Sequence, residues 1–286
     1  MSALVGYFDV TNRRKRQRLI ANVLGLLVLV VMIFPVYWMV ATAFKPGRDI
    51  LRIEPKFIPS PATIANFGDA IHRPYFWENV KNSLIIVFAV VVLSLVIGFL
   101  AALAIARFRF YGRRAFIAVI IGVQMIPTAA LIIPLYILLA RANQVDRLSG
   151  VIITYLTFVL PFTVWTLRGF VMGIPRDLEE AAMVDGCTRM GAFIRVLVPL
   201  IAPGLVATSI FAFVQAWNEF IFAYVLLSSQ GNQTLTVWLA SFTTLRGTDW
   251  GPLMAAATLT SLPVVIFFAL VQRRVAFGLT AGAVRG

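Results

Sequence analysis

Four carboxylates stand where a membrane-type sequence has little reason to keep them. Glu179, Glu180 and Asp185 fall within the stretch EEAAMVDGCTRMGAFIRVLVP (Glu179–Pro199), and Glu219 interrupts an apolar run. Carboxylates can move protons, hold cations or present charge to a partner. Catalysis would need a nucleophile–base pair, and a zinc centre would need cysteine and histidine, yet His72 and Cys187 are the single residues of their kinds. The lone cysteine also excludes a disulfide within the chain. No G-x-x-x-x-G-K-[ST] phosphate loop occurs, so ATP is not held here in the usual cradle. An enzyme is disfavoured.

The Glu179–Pro199 stretch has a local logic of its own. Pro175 suits a first helical turn, and Asp177, Glu179 and Glu180 complement the positive end of a helix dipole. Leu178, Ala181 and Ala182 share a face small enough for another surface to approach closely. Asp185-Gly186 should end this helix, glycine being the residue that accepts a left-handed conformation after a last turn. Thr188 can cap a second helix, with Met190, Phe193, Ile194 and Leu197 forming an apolar stripe, before the chain re-enters the apolar phase at Pro199. Two readings stay open: a surface gripped by a soluble partner, or an amphipathic linker resting on a membrane.

Glu219 sits with Gln215, Trp217 and Asn218 toward the outer part of its run. An intramembrane carboxylate needs a partner or a water-lined cavity. In a translocation path Trp217 would offer a stacking face, with Asn218 and Glu219 as hydrogen-bonding groups for a polyol. The alternative is a carboxylate locked structurally against another helix. Met125-Ile126-Pro127, Ile133-Pro134 and Pro161 also interrupt apolar runs. Broken helices mark binding sites in transporters, although plain proline kinks are common in membrane helices.

These groups must be positioned by a membrane scaffold. Of the 286 residues 60% are hydrophobic and mean hydropathy is +0.89, more apolar surface than a soluble globule tolerates. Six apolar runs, 19–44, 82–106, 115–140, 148–167, 199–227 and 250–272, uncharged except for Glu219 in the fifth, are each long enough to cross about 30 Å of hydrocarbon as helices. Sixteen Lys and Arg fall in segments on the N-terminal side of the membrane and nine on the other, which puts both termini in the cytoplasm. The formal charge of +13 forms no basic face on a soluble domain, so nucleic acid is not an expected partner. Arg13–Arg18 anchors to anionic lipid. Ala41-Thr42-Ala43 imitates a signal-peptide cleavage site, but the preceding apolar run is longer than the seven to fifteen residues of a signal core. In the outer loop 45–81, FIPSPATIANF (Phe57–Phe67) cannot be a continuous helix because of Pro59 and Pro61. TLTVWLASFTTL, in the outer loop 228–249, reads as a re-entrant or interfacial helix. The inner turn Arg107–Arg114 is built on Tyr111-Gly112.

Glu180-Ala181-Ala182, three residues, Gly186, nine residues and Val196-Leu197-Val198-Pro199 together resemble the EAA motif of permease subunits in binding-protein-dependent ATP-binding-cassette importers. Val196 and Val198 stand where that family usually has isoleucine and leucine. FIPSPATIANF looks like the outer-loop signature of sugar-type permeases, WNEF (Trp217–Phe220) is similar to their fifth-span pattern, and GLTAGAVRG (Gly278–Gly286) resembles the tail of the second permease of maltose-like systems. The resemblance implies that Glu180, Ala181, Ala182, Asp185, Gly186 and Pro199 belong to a coupling loop that docks on an ATPase subunit. It also implies that Gly278, Leu279, Thr280 and Gly282, in a tail that physics alone would call frayed, reach between the ATPase subunits. The expected partners are a second permease, two ATPase subunits carrying ATP and magnesium, an extracytoplasmic binding protein and a sugar or polyol.

The expectation is therefore an all-α integral membrane protein of a bacterial or archaeal inner membrane, without a cofactor or metal of its own. A basic N-terminus (1–18) precedes one six-helix permease domain (19–272), whose coupling loop (174–198) joins the fourth and fifth spans, and a cytoplasmic tail (273–286) follows. The rival is a stand-alone ion-coupled transporter or channel with Glu219 as its ion or proton site.

Overall fold

The computed structural model describes the backbone of residues 2–283 and the side chains of residues 16–272. Contacts gather in two groups, Met1–His72 with Phe242–Leu259, and Arg73–Ser241 with Thr260–Gly286.

In the first group, α1 (Ser2–Ala43) runs as one helix through the basic segment expected to precede the first span. None of its most apolar window is buried, as suits a helix facing lipid or another subunit. Ala41, Thr42 and Ala43, the cleavage-site mimic, are packed away. The last carbonyls of a helix have no partner within it. Here Asn66, at the start of α2 (Ala65–Ile71), donates to the carbonyls of Ala43 and Lys45, both at 2.8 Å. The FIPSPATIANF segment is thus a strap that returns to cap α1, and the Thr63 amide adds a 2.9 Å bond to the Phe44 carbonyl. Buried Asp49 holds Lys56 at 2.8 Å and Arg52 at 3.1 Å, while the Lys45 ammonium lies 3.7 Å over the Trp38 ring. A small antiparallel hairpin, β1 (Thr243–Thr244) and β2 (Gly247–Thr248), turns through Leu245-Arg246 with Gly247 at φ +119°.

The second group is helical: α3 (Phe76–Arg107), α4 (Arg113–Gln124), α5 (Ile132–Arg141), α6 (Leu148–Met172), α7 (Asp177–Val184), α8 (Arg189–Ala192), α9 (Val198–Asn218), α10 (Ile221–Leu226) and α11 (Leu235–Ala240). The final helix, α12, spans Trp250–Ala283. Phe99, Ala102 and Ala106 of α3 pack with Leu167 and Val171 of α6 and Ile201 of α9. Small residues bring these helices close: a Cβ added at Gly98 would lie 2.5 Å from Thr163 Cγ2, and one at Gly204 2.6 Å from the Phe170 ring.

Among the described residues five helices are long and apolar enough to cross a membrane. The third expected span differs: α4 and α5 meet at a bend of 101°. Pro127, which cannot donate to the preceding turn, follows the break at Met125, and a 3-10 turn over Thr128–Leu131 intervenes. Pro134 falls in the first turn of α5, where proline is tolerated. Pro161 does not interrupt its span, since α6 continues through it. TLTVWLASFTTL is helical only at α11. Leu235, Val237 and Trp238 of this helix are buried, and the β-branched threonines beyond pass into the hairpin.

Candidate functional site

The linker after the fourth span folds much as its residue types dictate. Asp177, Glu179 and Glu180 occupy the first turn of α7. Gly186 ends the helix at φ +92°, its amide donating to the Met183 carbonyl at 3.1 Å and that of Cys187 to the Ala182 carbonyl at 2.9 Å. Thr188 Oγ1 accepts from the Gly191 amide at 3.1 Å and caps α8. The second helix, however, is not separate. After α8 a π-helical turn, Phe193–Leu197, leads straight into α9. Pro199 accounts for this, because its ring and missing N–H disturb the bond to Arg195, and a widened turn absorbs the defect. The apolar stripe is divided accordingly: Leu197 is buried and Phe193 stacks on Phe99 at 5.6 Å, whereas Met190 and Ile194 are more than half exposed.

Every residue of α7 is half-buried or exposed. Glu180, Ala181, Asp185, Gly186 and Pro199 are exposed and Ala182 is half-buried. With Leu178, Met183 and Val184 also exposed, this loop carries apolar surface ready to be covered. Behind it, Arg107, Arg176, Glu179, Glu180 and Met183 border an opening of about 300 Å³.

The residues proposed for a translocation path do not converge. Trp217 is buried, stacks on Phe213 and donates through Nε1 to the Thr260 carbonyl at 3.2 Å, so its ring is already engaged. Asn218 is exposed and donates to the Val214 carbonyl at 3.0 Å. Glu219 stands where α9 ends, and its carboxylate accepts from the amides of Phe222 at 2.9 Å and Ala223 at 3.1 Å. It therefore caps α10, while its own carbonyl accepts from Thr236 Oγ1 at 2.8 Å. Buried Tyr155 sets its hydroxyl beside the same carboxylate.

Gln215 lines a cavity of about 180 Å³ whose wall includes Gln124, Ile126 and Thr128 at the broken third span, Thr157, Phe158, Pro161 and Phe162 on α6, and Phe211. Pro127 and Pro161 thus mark the same hollow from two sides, which their sequence positions alone do not reveal. Gln124, Thr157 and the phenylalanines carry no sequence signal that separates them from other span residues. Gly278, Leu279, Thr280 and Gly282 have side chains outside the described residues.

Residues 94–280 match the model of the family described as binding-protein-dependent transport system inner membrane component, and the chain belongs to that family. It is thus a membrane-spanning subunit of an ATP-binding-cassette importer. It is 46% identical over 265 residues to the diacetylchitobiose uptake system permease protein DasC of Streptomyces coelicolor, covering 93% of this chain and 96% of that one. It is 31% identical to the trehalose/maltose transport system permease protein MalG of Thermococcus litoralis, covering 94% and 98%. A chain from the crystal structure of a bacterial ABC transporter that imports the acidic polysaccharide alginate shares the fold with a TM-score of 0.76 at 22% identity, over 89% of this chain and 95% of that one.

Proposed function

We propose that this chain is one of two permeases in a carbohydrate importer, that α7 and the turn at Gly186 form its coupling element, and that both termini lie in the cytoplasm. Relatives named for uptake of diacetylchitobiose and of trehalose and maltose support a sugar or related polyol as the substrate. The coupling role rests on one observation: a short acidic helix, closed by the turn at Gly186 and with none of its residues buried, stands between two spans. A soluble ATPase, carrying ATP and magnesium, is the partner that would cover Glu180, Ala181, Ala182, Asp185 and Gly186, with Pro199 setting the return into the bilayer. The tail residues Gly278, Leu279, Thr280 and Gly282 would add a second contact with the ATPases, and an extracytoplasmic binding protein would deliver substrate to the outer loops.

Within the path, the cavity at Gln124, Thr128, Thr157 and Gln215 is the candidate for substrate passage in place of Trp217, Asn218 and Glu219. At about 180 Å³ it is smaller than a usual ligand pocket of roughly 300 Å³ or more, as half of a chamber completed by the second permease would be. A stand-alone ion-coupled transporter is disfavoured, because the Glu219 carboxylate is occupied by two backbone amides. Uptake of labelled oligosaccharide by vesicles holding this chain, its second permease and the ATPase, but not by vesicles lacking the ATPase, is the expected result. Uptake by this chain alone would overturn the proposal.

A further inference from the structure

The inner end of α3 and the start of α7 are tied together by groups that the coupling motif does not include. Arg107, the last residue of α3, places Nη2 2.7 Å from Glu179 Oε1, and its side chain is only 10% exposed against 23% for Glu179. The same nitrogen donates to the Ile174 carbonyl at 3.0 Å, just past the end of α6. In return Arg176, at the N-terminus of α7, donates to the carbonyls of Arg107 at 2.9 Å and Ala106 at 3.3 Å. Those are terminal carbonyls of α3, which lack partners inside their own helix and favour a cation. Two arginines therefore exchange caps between the helix ends that flank the coupling helix.

The far end of α3 is equally well engaged. Asn82 donates to the carbonyls of Gly231 at 2.8 Å and Gln233 at 3.2 Å, Ser83 Oγ accepts from the Leu235 amide at 2.8 Å, and Phe76 lies 5.2 Å from Trp238. With 32 residues, α3 is about 48 Å long. It is a rod with one end on the coupling helix and the other on the outer segment that carries α11.

Resting on the coupling role proposed above, we infer that Glu179 and Arg107 are positioning residues that latch the coupling helix to α3, so that movement imposed on α7 reaches the outer segment through this helix. The covalent neighbours of the linker, α6 and α9, are then not the only outputs. Glu179 faces α3, whereas Glu180 is exposed. The two adjacent carboxylates therefore divide the work: Glu179 holds the permease side and Glu180 meets the motor.

The test uses the complete importer in vesicles, with motor capture, ATP hydrolysis and uptake measured on one preparation for Glu179→Gln, Arg107→Gln and the double variant. Capture of the ATPase stays normal, because Glu179 does not face it. Uptake per ATP falls about tenfold or more in each single variant, the change expected when one partner of a largely buried ion pair is removed and the other charge is left uncompensated. The double variant is no worse than Arg107→Gln, which already deletes the pair together with the bond to the Ile174 carbonyl. Glu179 lies outside the spans, so Glu179→Gln decides the matter even if Arg107→Gln fails to insert. Normal uptake per ATP in Glu179→Gln with the motor bound removes the latch and leaves the coupling role standing, and additive losses in the double variant also refute it. An unsubstituted chain that captures no ATPase overturns the coupling role, and the latch with it.

Discussion

Glu219→Ala is the substitution with the most calculable consequence. The amides of Phe222 and Ala223 lose their acceptor, and both residues are almost wholly buried, at 3% and 0% exposure. Each orphaned buried donor costs about 1–3 kcal/mol, and loss of a helix cap about 0.5–2 kcal/mol. Since Glu219 itself is half-buried and water can reach part of the site, about 2–4 kcal/mol is the expected weakening of α10. Glu219→Gln keeps one acceptor oxygen, so it should cost about half as much. Amide exchange reads this directly. At about 1.4 kcal/mol per factor of ten, exchange at Phe222 and Ala223 should rise roughly 30- to 700-fold in the alanine variant and by a smaller factor in the glutamine variant. Parent-like exchange in both variants would show that the carboxylate does not hold the break in the fifth run. Uptake lost with exchange unchanged would return Glu219 to the translocation path.

Two further outcomes follow from loop residues. Asn66→Ala strands the carbonyls of Ala43 and Lys45 beside a residue that is 7% exposed, so about 2–3 kcal/mol of local stability should be lost, seen as faster proteolysis within Phe57–Phe67. Burial pushes the Asp146 carboxyl up, but hydrogen bonds from the hydroxyl and amide of Ser229 outweigh it and leave it below the ordinary 3.8. A lowered folded value means that stability is present above the unfolded value and lost as pH falls through the folded one. The Asp146–Ser229 clasp should therefore be intact at pH 6–8 and loosen below about pH 4, read as cleavage at 228–232, and Asp146→Asn should show part of that loosening at neutral pH.

What was legible in the sequence depended on how local its cause was. The short helix α7, its end at Gly186 and the cap at Thr188 follow from interactions within four residues, and they stand where residue types put them. The runs themselves follow from the need to satisfy backbone groups without water. The fate of Glu219 was not legible in the same way. Its carboxylate turns to amides three and four residues ahead, which depends on α9 ending at Asn218, and nothing in WNEF separates that from a polar patch facing a channel. The engagement of Trp217 was not legible for a related reason, since its partner carbonyl at Thr260 lies 43 residues away. The pairing of Arg107 with Glu179 is also non-local, and dipole logic alone accounted for Glu179. Prolines gave a half-answer: Pro127 accompanies a break and Pro161 does not, because neighbouring helices decide whether a freed carbonyl bends the chain or is tolerated.

The claim that α7 meets a motor is tested most directly at Val184, which is 87% exposed on that helix. A photoreactive residue placed there, in a strain expressing the whole importer, should cross-link to the ATPase subunit. Gly186→Trp in the same background should abolish the product while the chain stays inserted in the membrane. An importer that takes up its sugar at the normal rate while position 184 cross-links to lipid alone would contradict the account.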